Sequence, residues 1–339
     1  MPVREAFEIG GESIAAGRRA TVDIPVADLF THTGMSMPVH VVHGKKPGPR
    51  LFICAAIHGD EINGVEIVRR LLRQKRLKNL RGTLIAVPVV NVYGFVNNYR
   101  YLPDRRDLNR FFPGTPKGSL TSRLAHLFMG EIVARCTHGI DLHTGSNHRE
   151  NLPQIRAKLD DEETQLLALA FGAPVVLDTN LKDGSLRQAA AEQGIPMLLY
   201  EAGEALRFNE ICIRAGLRGV LSVMSAIGMI PAISSRKARV EPVVARSSTW
   251  ARTPSSGIIR STVHLGDRVK SGEILGEIAD PFGAAGEEIE SPASGIVVGR
   301  LNLPLVHEGD AVFHIARFED APAAESVVEA FHQQFEPDS

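Results

Sequence analysis

Four side chains that could bind a metal ion or transfer a proton lie at the ends of predicted strands. They are His58, Glu61, His143 and Glu201. The first two come directly after LFICAAI at 51–57, an unbroken apolar run typical of a strand buried on both faces. The other two follow the short predicted strands 138–142 and 196–200. Because open α/β sheets bind ligands at the carboxyl ends of their strands, we expect these side chains to share one sheet edge.

Two imidazoles and one carboxylate form the ligand set of a hydrolytic zinc site, which leaves a fourth position for water. Zinc bound in this way lowers the pKa of water to about 7, so hydroxide is available at neutral pH. His58, Glu61 and His143 supply that set, and Glu201 stands where a base could take the proton and pass it to the leaving group. Asp141 is a candidate for orienting the ring of His143.

Each of these residues also has an ordinary interpretation. A histidine at a strand end is more often a plain polar residue than a ligand, and a glutamate at the start of a helix is favoured by the helix dipole. The spacing of His58 and Glu61 is therefore insufficient by itself. Three separate strand ends that each deliver a ligand or a base are a stronger argument for a metal centre.

The elements that must position these residues alternate along the chain. After a β-rich segment up to about residue 45, strands are predicted at 51–57, 82–91, 138–142, 175–177 and 196–200. Helical spacing of apolar residues is found at 61–72, 119–135, 157–171, 184–193 and 208–229. This alternation predicts an α/β fold with a mixed, mostly parallel sheet that is flanked by helices.

One long loop is rich in arginine. The segment 97–114, NNYRYLPDRRDLNRFFPG, has no lasting periodicity and contains four arginines among aromatic residues. Long loops inside a compact domain are usually functional or disordered. Because the guanidinium fork matches two carboxylate oxygens, this loop is predicted to recognise a carboxylate. His148 and Arg149, which follow His143 closely, are further candidates for the pocket wall.

The last hundred residues have a different sequence pattern, in which short predicted strands are separated by Gly, Pro and Ser. The sequence SGII at 256–259 is echoed by SGIV at 294–297, and VKSGEIL at 269–275 by VHEGDAV at 306–312. This repeat predicts a small barrel-like β domain that resembles the biotinyl/lipoyl module. Because 280–292 contains no lysine to carry a cofactor, we expect a lid, an oligomer contact or a structural appendix instead. The predicted division is therefore 1–235 for the α/β domain, 236–325 for the β domain and 326–339 for a tail.

The composition gives no reason to expect several classes of partner. Of the 339 residues 23% are charged, and the formal net charge is -1, so neither nucleic acid nor a membrane surface is expected as a partner. No apolar run is long enough to span a bilayer, and the N-terminus lacks the apolar core of a secretion signal. The expected location is the cytoplasm.

The chain also resembles a known family over about residues 45 to 230. The matching motifs are HGDE at 58–61, DLNR at 107–110, DLHTG at 141–145 and the Glu201 of LLYEAGE. They are similar to those of the succinylglutamate desuccinylase/aspartoacylase family, a branch of the zinc carboxypeptidase-like fold. The resemblance implies one zinc ion per chain, bound by His58, Glu61 and His143. It also implies that Glu201 acts first as general base and then as general acid.

The resemblance also implies roles for residues that contact the substrate. Asn109 and Arg110 match the family positions that bind the substrate carboxylate. Arg187, in the sequence GSLR, matches a further arginine that contacts the substrate, although its longer distance from Glu201 also suits a plain helix-surface arginine.

The arginine that polarises the substrate carbonyl is less clearly defined by the sequence. Arg100 fits because a tyrosine follows it, but the spacer before DLNR is about two residues longer than in the family. Arg105 and Arg106 therefore remain alternatives.

These features predict a zinc-dependent hydrolase that cleaves the amide bond of an N-acyl amino acid or a related small N-acyl amine. The expected substrate is a small molecule that carries a carboxylate. One alternative is a zinc carboxypeptidase that acts on short peptides, and another is a metal-binding or ligand-binding protein whose catalytic site is idle. The sequence leaves assembly into a homo-oligomer open.

Overall fold

The computed structural model describes residues 4–146, 148–233, 241–283 and 286–335. The strands up to residue 204 are β1 (Phe7–Ile9), β2 (Glu12–Ile14), β3 (Arg19–Asp28), β4 (Gly34–His43), β5 (Lys46–Ala55), β6 (Arg81–Val87), β7 (His138–Gly145), β8 (Arg149–Ala157), β9 (Val175–Asp178) and β10 (Met197–Glu204). The later strands are β11 (Val243–Ala245), β12 (Ser247–Arg252), β13 (Gly257–Ser261), β14 (Arg268–Val269), β15 (Ile274–Ala279), β16 (Glu287–Glu290), β17 (Gly295–Leu301), β18 (Leu305–Val306) and β19 (Ala311–Arg317).

The helices are α1 (Asn63–Leu72), α2 (Val92–Val96), α3 (Leu120–Glu131), α4 (Glu162–Phe171), α5 (Leu186–Glu192), α6 (Glu210–Ala226) and α7 (Ala321–Phe335). Short 3-10 turns lie at Lys75–Asn79, Leu108–Arg110 and Val133–Arg135. Among the described residues, no helix is both long enough and apolar enough to cross a membrane.

A large mixed sheet forms the centre of the α/β fold, as predicted. Its main path runs β12-β19-β17-β8-β10-β7-β5-β6-β4-β3. The strands β6, β5, β7 and β10 pair in parallel, so their carboxyl ends meet at one edge. The expectation of a mostly parallel sheet holds for this centre, whereas β3, β4 and β8 pair antiparallel with their neighbours on the path. The parallel centre is the part that brings the predicted site residues together.

Strand β5 is buried on both faces because its successive side chains enter two different hydrophobic clusters. Leu51, Ile53 and Ala55 pack in the cluster that includes α1, α4 and α6. Phe52 and Cys54 pack in the other cluster, which includes α3 and α5. Side chains alternate across a strand, so an unbroken apolar run is what this central position requires.

The segment before α4 differs from the prediction. A helix was expected from residue 157, but residues Arg149–Ala157 form β8, and α4 begins at Glu162 after its N-cap Asp161. The sequence RENLPQIRA does not look like a buried strand because it contains Pro153 and three charged residues. Its burial comes from β10 on one side and from β9 and β17 on the other.

The repeat after residue 250 corresponds to two similar sets of strands. β13, β14 and β15 form the first set, and β17, β18 and β19 form the second. The two sets are hydrogen-bonded to each other, because β14 of the first pairs with β17 of the second and β18 of the second pairs with β13 of the first. The second set joins the main sheet because β17 pairs with β8. The earlier strand β11 also joins it, through its pairing with β9.

The proposed division into domains remains a prediction. The boundary between residues 235 and 236 lies outside the described residues. Helix α7 covers most of the segment that was predicted as a tail from residue 326, and it packs Phe331 and Phe335 near Ala215 of α6.

Candidate metal centre and active-site pocket

The corner between β5 and α1 has an unusual backbone that places His58 and Glu61. Ala56 adopts a left-handed conformation with φ 51°, which L-residues other than Asn and Asp seldom adopt. Gly59 lies against the backbone of Gly94, and a Cβ atom on Gly59 would be 2.0 Å from the Gly94 carbonyl carbon. The chain can therefore turn here only with glycine at this position.

His58, Glu61 and His143 lie together and are buried. Nδ1 of His58 is 2.8 Å from Oε1 of Glu61, and Nδ1 of His143 is 2.7 Å from Oε2. The three possible ligand atoms all lie within 4.8 Å of one another. The structure thus brings together the three residues predicted from the sequence as metal ligands.

The second ring nitrogen of each histidine in this cluster contacts a further carboxylate. Nε2 of His143 lies 2.6 Å from Oδ2 of Asp141, as the sequence suggested, and Nε2 of His58 lies 3.0 Å from Oδ1 of Asp107. A ligating histidine typically has its other ring nitrogen on such a partner, which orients the ring and increases its basicity. The donor set and its outer carboxylates therefore fit a zinc ion. Asp107 lies in the DLNR motif but was not assigned a role from the sequence.

Charge stabilises this buried cluster. Burial would raise the pKa of Glu61, but the two neighbouring imidazoles outweigh burial and hold it well below its usual value. Burial likewise disfavours the imidazolium form of His143, but Asp141 and Glu61 raise its pKa well above the ordinary value. The carboxylates thus make the immediate surroundings of the two imidazoles negative, so this cluster binds either protons or a cation.

Arg100 lies beside the cluster. Its Nη1 donates to Oε1 of Glu61 at 2.9 Å, and its Nη2 donates to Oδ2 of Asp107 at 3.2 Å. Arg105 and Arg106 are exposed, and among the described residues neither lines the cavity that contains the cluster. Arg106 instead stacks over the ring of Phe111 at 5.2 Å. The geometry favours Arg100 among the three candidates, and its role remains a prediction.

Glu201 lies on the strand next to His143, because the two residues are register partners in β10 and β7. Both oxygens of its carboxylate are held by β8. Nδ2 of Asn151 donates to Oε2 at 2.8 Å, and Nη1 of Arg156 lies 3.3 Å from Oε1. Neither partner was predicted, because β8 was not recognised as a strand. The local sign of a strand in this segment is limited to the alternation of polar and apolar residues at 154–157.

The cavity around these groups has a volume of about 440 Å³. The predicted substrate-binding residues Asn109, Arg110 and Arg187 line it. Asn109 accepts a hydrogen bond from the backbone N–H of Leu186 at 2.9 Å, which attaches the arginine-rich loop to the start of α5. Arg110 lines the cavity from the same loop. Arg187 is buried rather than on a helix surface, and it donates to Oγ1 of Thr179 at 3.0 Å.

The cavity wall carries more cations than the sequence suggested. Arg156, Lys182 and Arg149 join Arg100, Arg110 and Arg187, whereas Glu61 and Glu201 are the carboxylates among the described lining residues. Burial and the neighbouring Arg156 lower the pKa of Arg187 to about 10. A buried cation without a carboxylate partner is unfavourable, so this wall is suited to an anionic ligand. His148 is exposed, whereas Arg149 lines the cavity.

Three lining residues come from the C-terminal β strands: Ser248, Trp250 and His314. From the sequence, the C-terminal β domain is expected to be a lid, an oligomer contact or a structural appendix, and only the first of these roles would bring it close to the site. No local signal marked these residues as pocket residues, because β12 and β19 reach the cavity through the pairing of β17 with β8.

Comparison with known proteins agrees with this arrangement. The N-alpha-acetyl-L-2,4-diaminobutyric acid deacetylase of Halomonas elongata is 29% identical over 308 residues, which are 86% of this chain and 89% of the relative. A crystal structure described as succinylglutamate desuccinylase/aspartoacylase from Rhodobacter sphaeroides superposes with a TM-score of 0.80 and 26% identity, and covers 88% of this chain and 96% of that chain. The product-bound ectoine utilization protein EutE (DoeB) from Ruegeria pomeroyi shares the fold with a TM-score of 0.80 at 22% identity, over 93% and 97% of the two chains.

The family comparison covers the region that contains the site. The profile of the succinylglutamate desuccinylase/aspartoacylase catalytic domain matches residues 47–227, which is more than half of the chain. The named proteins of this group are deacylases, enzymes that hydrolyse the amide bond of N-acyl amino acids. The chain belongs to the succinylglutamate desuccinylase/aspartoacylase family.

Proposed function

We propose that this protein is a zinc-dependent deacylase that hydrolyses the amide bond of a small N-acyl amino acid with a free carboxylate. The observation that carries the proposal is the buried cluster of His58, Glu61 and His143 beside Glu201, in a cavity rich in arginine. A metal centre and an adjacent carboxylate are the two components that amide hydrolysis by water requires.

In the proposed reaction, one zinc ion per chain held by His58, Glu61 and His143 would polarise the amide carbonyl and make water nucleophilic near neutral pH. Glu201 takes the proton of the attacking water and then donates it to the leaving nitrogen. The products are a free carboxylate and a free amine. Because Asn151 and Arg156 hold both oxygens of Glu201, the base has a defined orientation before substrate binds.

The arginines would bind and polarise the substrate. Arg100 is adjacent to the metal-ligand cluster, so its guanidinium is placed to stabilise the negative charge that develops on the carbonyl oxygen. Asn109 and Arg110 would bind the carboxylate of the amino acid, and Arg187 would contact the substrate from α5. Without these cations the substrate carboxylate would be buried without a partner.

Replacing Glu201 by Gln tests this mechanism. We expect the variant to retain zinc at the wild-type ratio but to lose at least about a hundredfold in kcat, since general acid–base catalysis contributes that much. Zinc content would be measured by elemental analysis and hydrolysis by amine release. Glu204→Gln is a matched control, because Glu204 lies on the same strand outside the described cavity lining. Full activity of Glu201→Gln would refute the proposed base.

A substrate panel separates this proposal from the alternatives. It would contain N-acetyl-L-2,4-diaminobutyrate, N-succinylglutamate, N-acetyl amino acids with neutral and acidic side chains, and short peptides. Hydrolysis confined to peptides would instead indicate a carboxypeptidase. Zinc binding without hydrolysis of any member would indicate a binding protein. We expect the acidic substrates to be preferred, because the cavity has a surplus of cations.

A further inference from the structure

We infer that a cleft at the amino-terminal edge of the central sheet binds a small organic molecule with several negative charges. This amino-edge cleft is lined by residues 17–19, 42–46, 77–81 and 228–231. It lies at the start of β5 and β6, whereas the metal-ligand cluster lies beyond the carboxyl ends of the parallel strands. Its volume is about 730 Å³. The inference does not rest on the proposed hydrolysis, because no described residue lines both this cleft and the cavity of the metal centre.

The charges that line the amino-edge cleft are all of one sign. Among the described lining residues there are six cations and no carboxylate: Arg18, Arg19, Lys45, Lys46, Lys78 and Arg81. None of the six forms an ion pair with a described aspartate or glutamate. The whole chain has 38 Lys and Arg against 39 Asp and Glu, so this cleft departs strongly from the balance of the chain. A concave surface of one sign concentrates ions of the other sign.

Backbone hydrogen bonds bring the segments that carry these cations together. Lys46 and Arg81 are register partners at the amino ends of the parallel strands β5 and β6. The N–H of Gly44 donates to the carbonyl of Gly82 at 2.9 Å, and the N–H of Arg81 donates to the carbonyl of Met229 at 2.9 Å. The fold itself therefore determines how close the backbone positions of these charges lie.

A turn that requires glycine brings in two further cations. Gly17, between β2 and β3, has a left-handed φ of 80°, and its N–H donates to the carbonyl of His43 at 2.7 Å. The N–H of His43 donates in return to the carbonyl of Arg18 at 2.9 Å. A Cβ atom on Gly17 would lie 2.7 Å from Cγ of Lys45, so the stem of this lysine lies along the turn. The turn thus places Arg18 next to the segment that carries Lys45.

This arrangement of cations costs stability unless an anion is bound. Like charges on neighbouring positions of a sheet repel each other, and no described carboxylate compensates Lys46 and Arg81. Local arrangements that lower stability without compensation in the fold are expected at functional sites. A bound anion would supply the missing compensation.

The shape and the floor of the cleft indicate the class of ligand. Its volume falls within the range of small-molecule sites, about 300–1,000 Å³. Guanidinium groups bind phosphate or carboxylate through two parallel hydrogen bonds, and ammonium groups bind them as point charges. The floor is formed by buried apolar residues: Val42, Leu77, Leu80, Met229 and Ile230. A molecule with two or more phosphate or carboxylate groups and an apolar or planar part fits both the cations and the floor.

The test is isothermal titration calorimetry with the zinc-loaded full-length protein, freed of excess metal. The probes are pyrophosphate, ADP, citrate and, as an uncharged comparison, adenosine. We expect at least one of the three anions to bind and adenosine to bind much more weakly. The Kd should rise as NaCl is raised from about 0.01 M to about 0.1 M, because exposed charges are screened. The double variant Lys46→Gln/Arg81→Gln should raise the Kd by about tenfold, since two ion pairs are lost.

Matched variants separate this cleft from other sources of positive charge. Lys75→Gln/Arg76→Gln also removes two cations, from the 3-10 turn Lys75–Asn79, but neither residue is among the described lining of the cleft. This variant should bind the anion as the wild type does. Arg110→Gln removes a cation from the cavity of the metal centre and should also leave the Kd unchanged. Thermal unfolding checks that each variant folds, and Lys78→Gln provides a second variant of the cleft.

The outcomes decide the inference and the chemistry of the ligand. Binding of pyrophosphate and ADP without citrate would support a phosphate ligand, and the reverse would support a polycarboxylate. No binding of any anion, or equal affinity for adenosine and ADP, would overturn the inference. A Kd that is unchanged in Lys46→Gln/Arg81→Gln but raised in Arg110→Gln would place the anion at the metal centre and overturn it too. Binding of duplex DNA without binding of the small anions would show a nucleic-acid surface instead.

Discussion

Asp107 provides a sharp test of how the metal centre is built. Its carboxylate makes three contacts: 3.0 Å to Nε2 of His58, 3.2 Å to Nη2 of Arg100 and 2.9 Å from the backbone N–H of Asn109. Outer-shell partners of a ligating histidine typically contribute about 10- to 100-fold to metal affinity. Because Asp107 orients a ligand, an arginine and a loop together, we expect Asp107→Ala to lower zinc affinity by about 100-fold, or about 2.7 kcal/mol.

The isosteric change Asp107→Asn should cost less. Asparagine retains the shape and one acceptor oxygen but loses the negative charge, so we expect a loss of about tenfold. Zinc affinity would be measured by competition with a chromophoric chelator at constant pH. Asp104 provides a matched control in the same loop, because its carboxylate bonds to Thr121. Asp104→Ala should lower thermal stability without changing zinc affinity.

The result that would refute this reasoning is wild-type zinc affinity in Asp107→Ala. Such a result would mean that His58 is oriented by Glu61 and by packing alone. An equal loss of affinity in Asp104→Ala and Asp107→Ala would point to the loop as a whole. In either case the carboxylate behind His58 would have no specific role.

Three further predictions concern other parts of the site. Asn151→Ala should reduce kcat by about tenfold with KM nearly unchanged, because it removes one of the two partners that orient Glu201; steady-state kinetics on the best substrate would check this. Gly59→Ala should lower the free energy of unfolding by about 1–3 kcal/mol and reduce bound zinc, because the new Cβ atom would overlap the backbone of Gly94. Denaturant unfolding and elemental analysis measure these two effects, and wild-type values in both would contradict the prediction. Burial lowers the pKa of His314 to about 3 in the folded protein, whereas an unperturbed histidine has a pKa of about 6.5. Between these two pH values the unfolded chain binds a proton that the folded protein does not, so the free energy of unfolding falls as the pH decreases. The wild type should therefore lose about 2 kcal/mol between pH 7 and pH 5 from this group, and urea unfolding of His314→Gln should lack that loss.

The parallel centre of the fold and its four principal residues could be predicted from local patterns. The apolar run of β5 reports burial on both faces, and the change to helical spacing after Glu61 marks the corner. Parallel strands place their carboxyl ends at one edge, so residues that follow separate strands meet without any knowledge of their distances. For this reason the sequence alone was sufficient to group His58, Glu61, His143 and Glu201.

The residues that support and enclose this centre depend on pairings between distant segments. Strand β8 contains Pro153 and several charges, and only its neighbours in the sheet bury it and direct Asn151 and Arg156 towards Glu201. Trp250 and His314 reach the cavity because β17 pairs with β8. Local periodicity reports which face of a segment is buried, but it contains no information about which distant strand lies beside it. The sequence by itself therefore determined the chemistry at the strand ends, and the tertiary structure decided how the base is held and which residues bound the pocket.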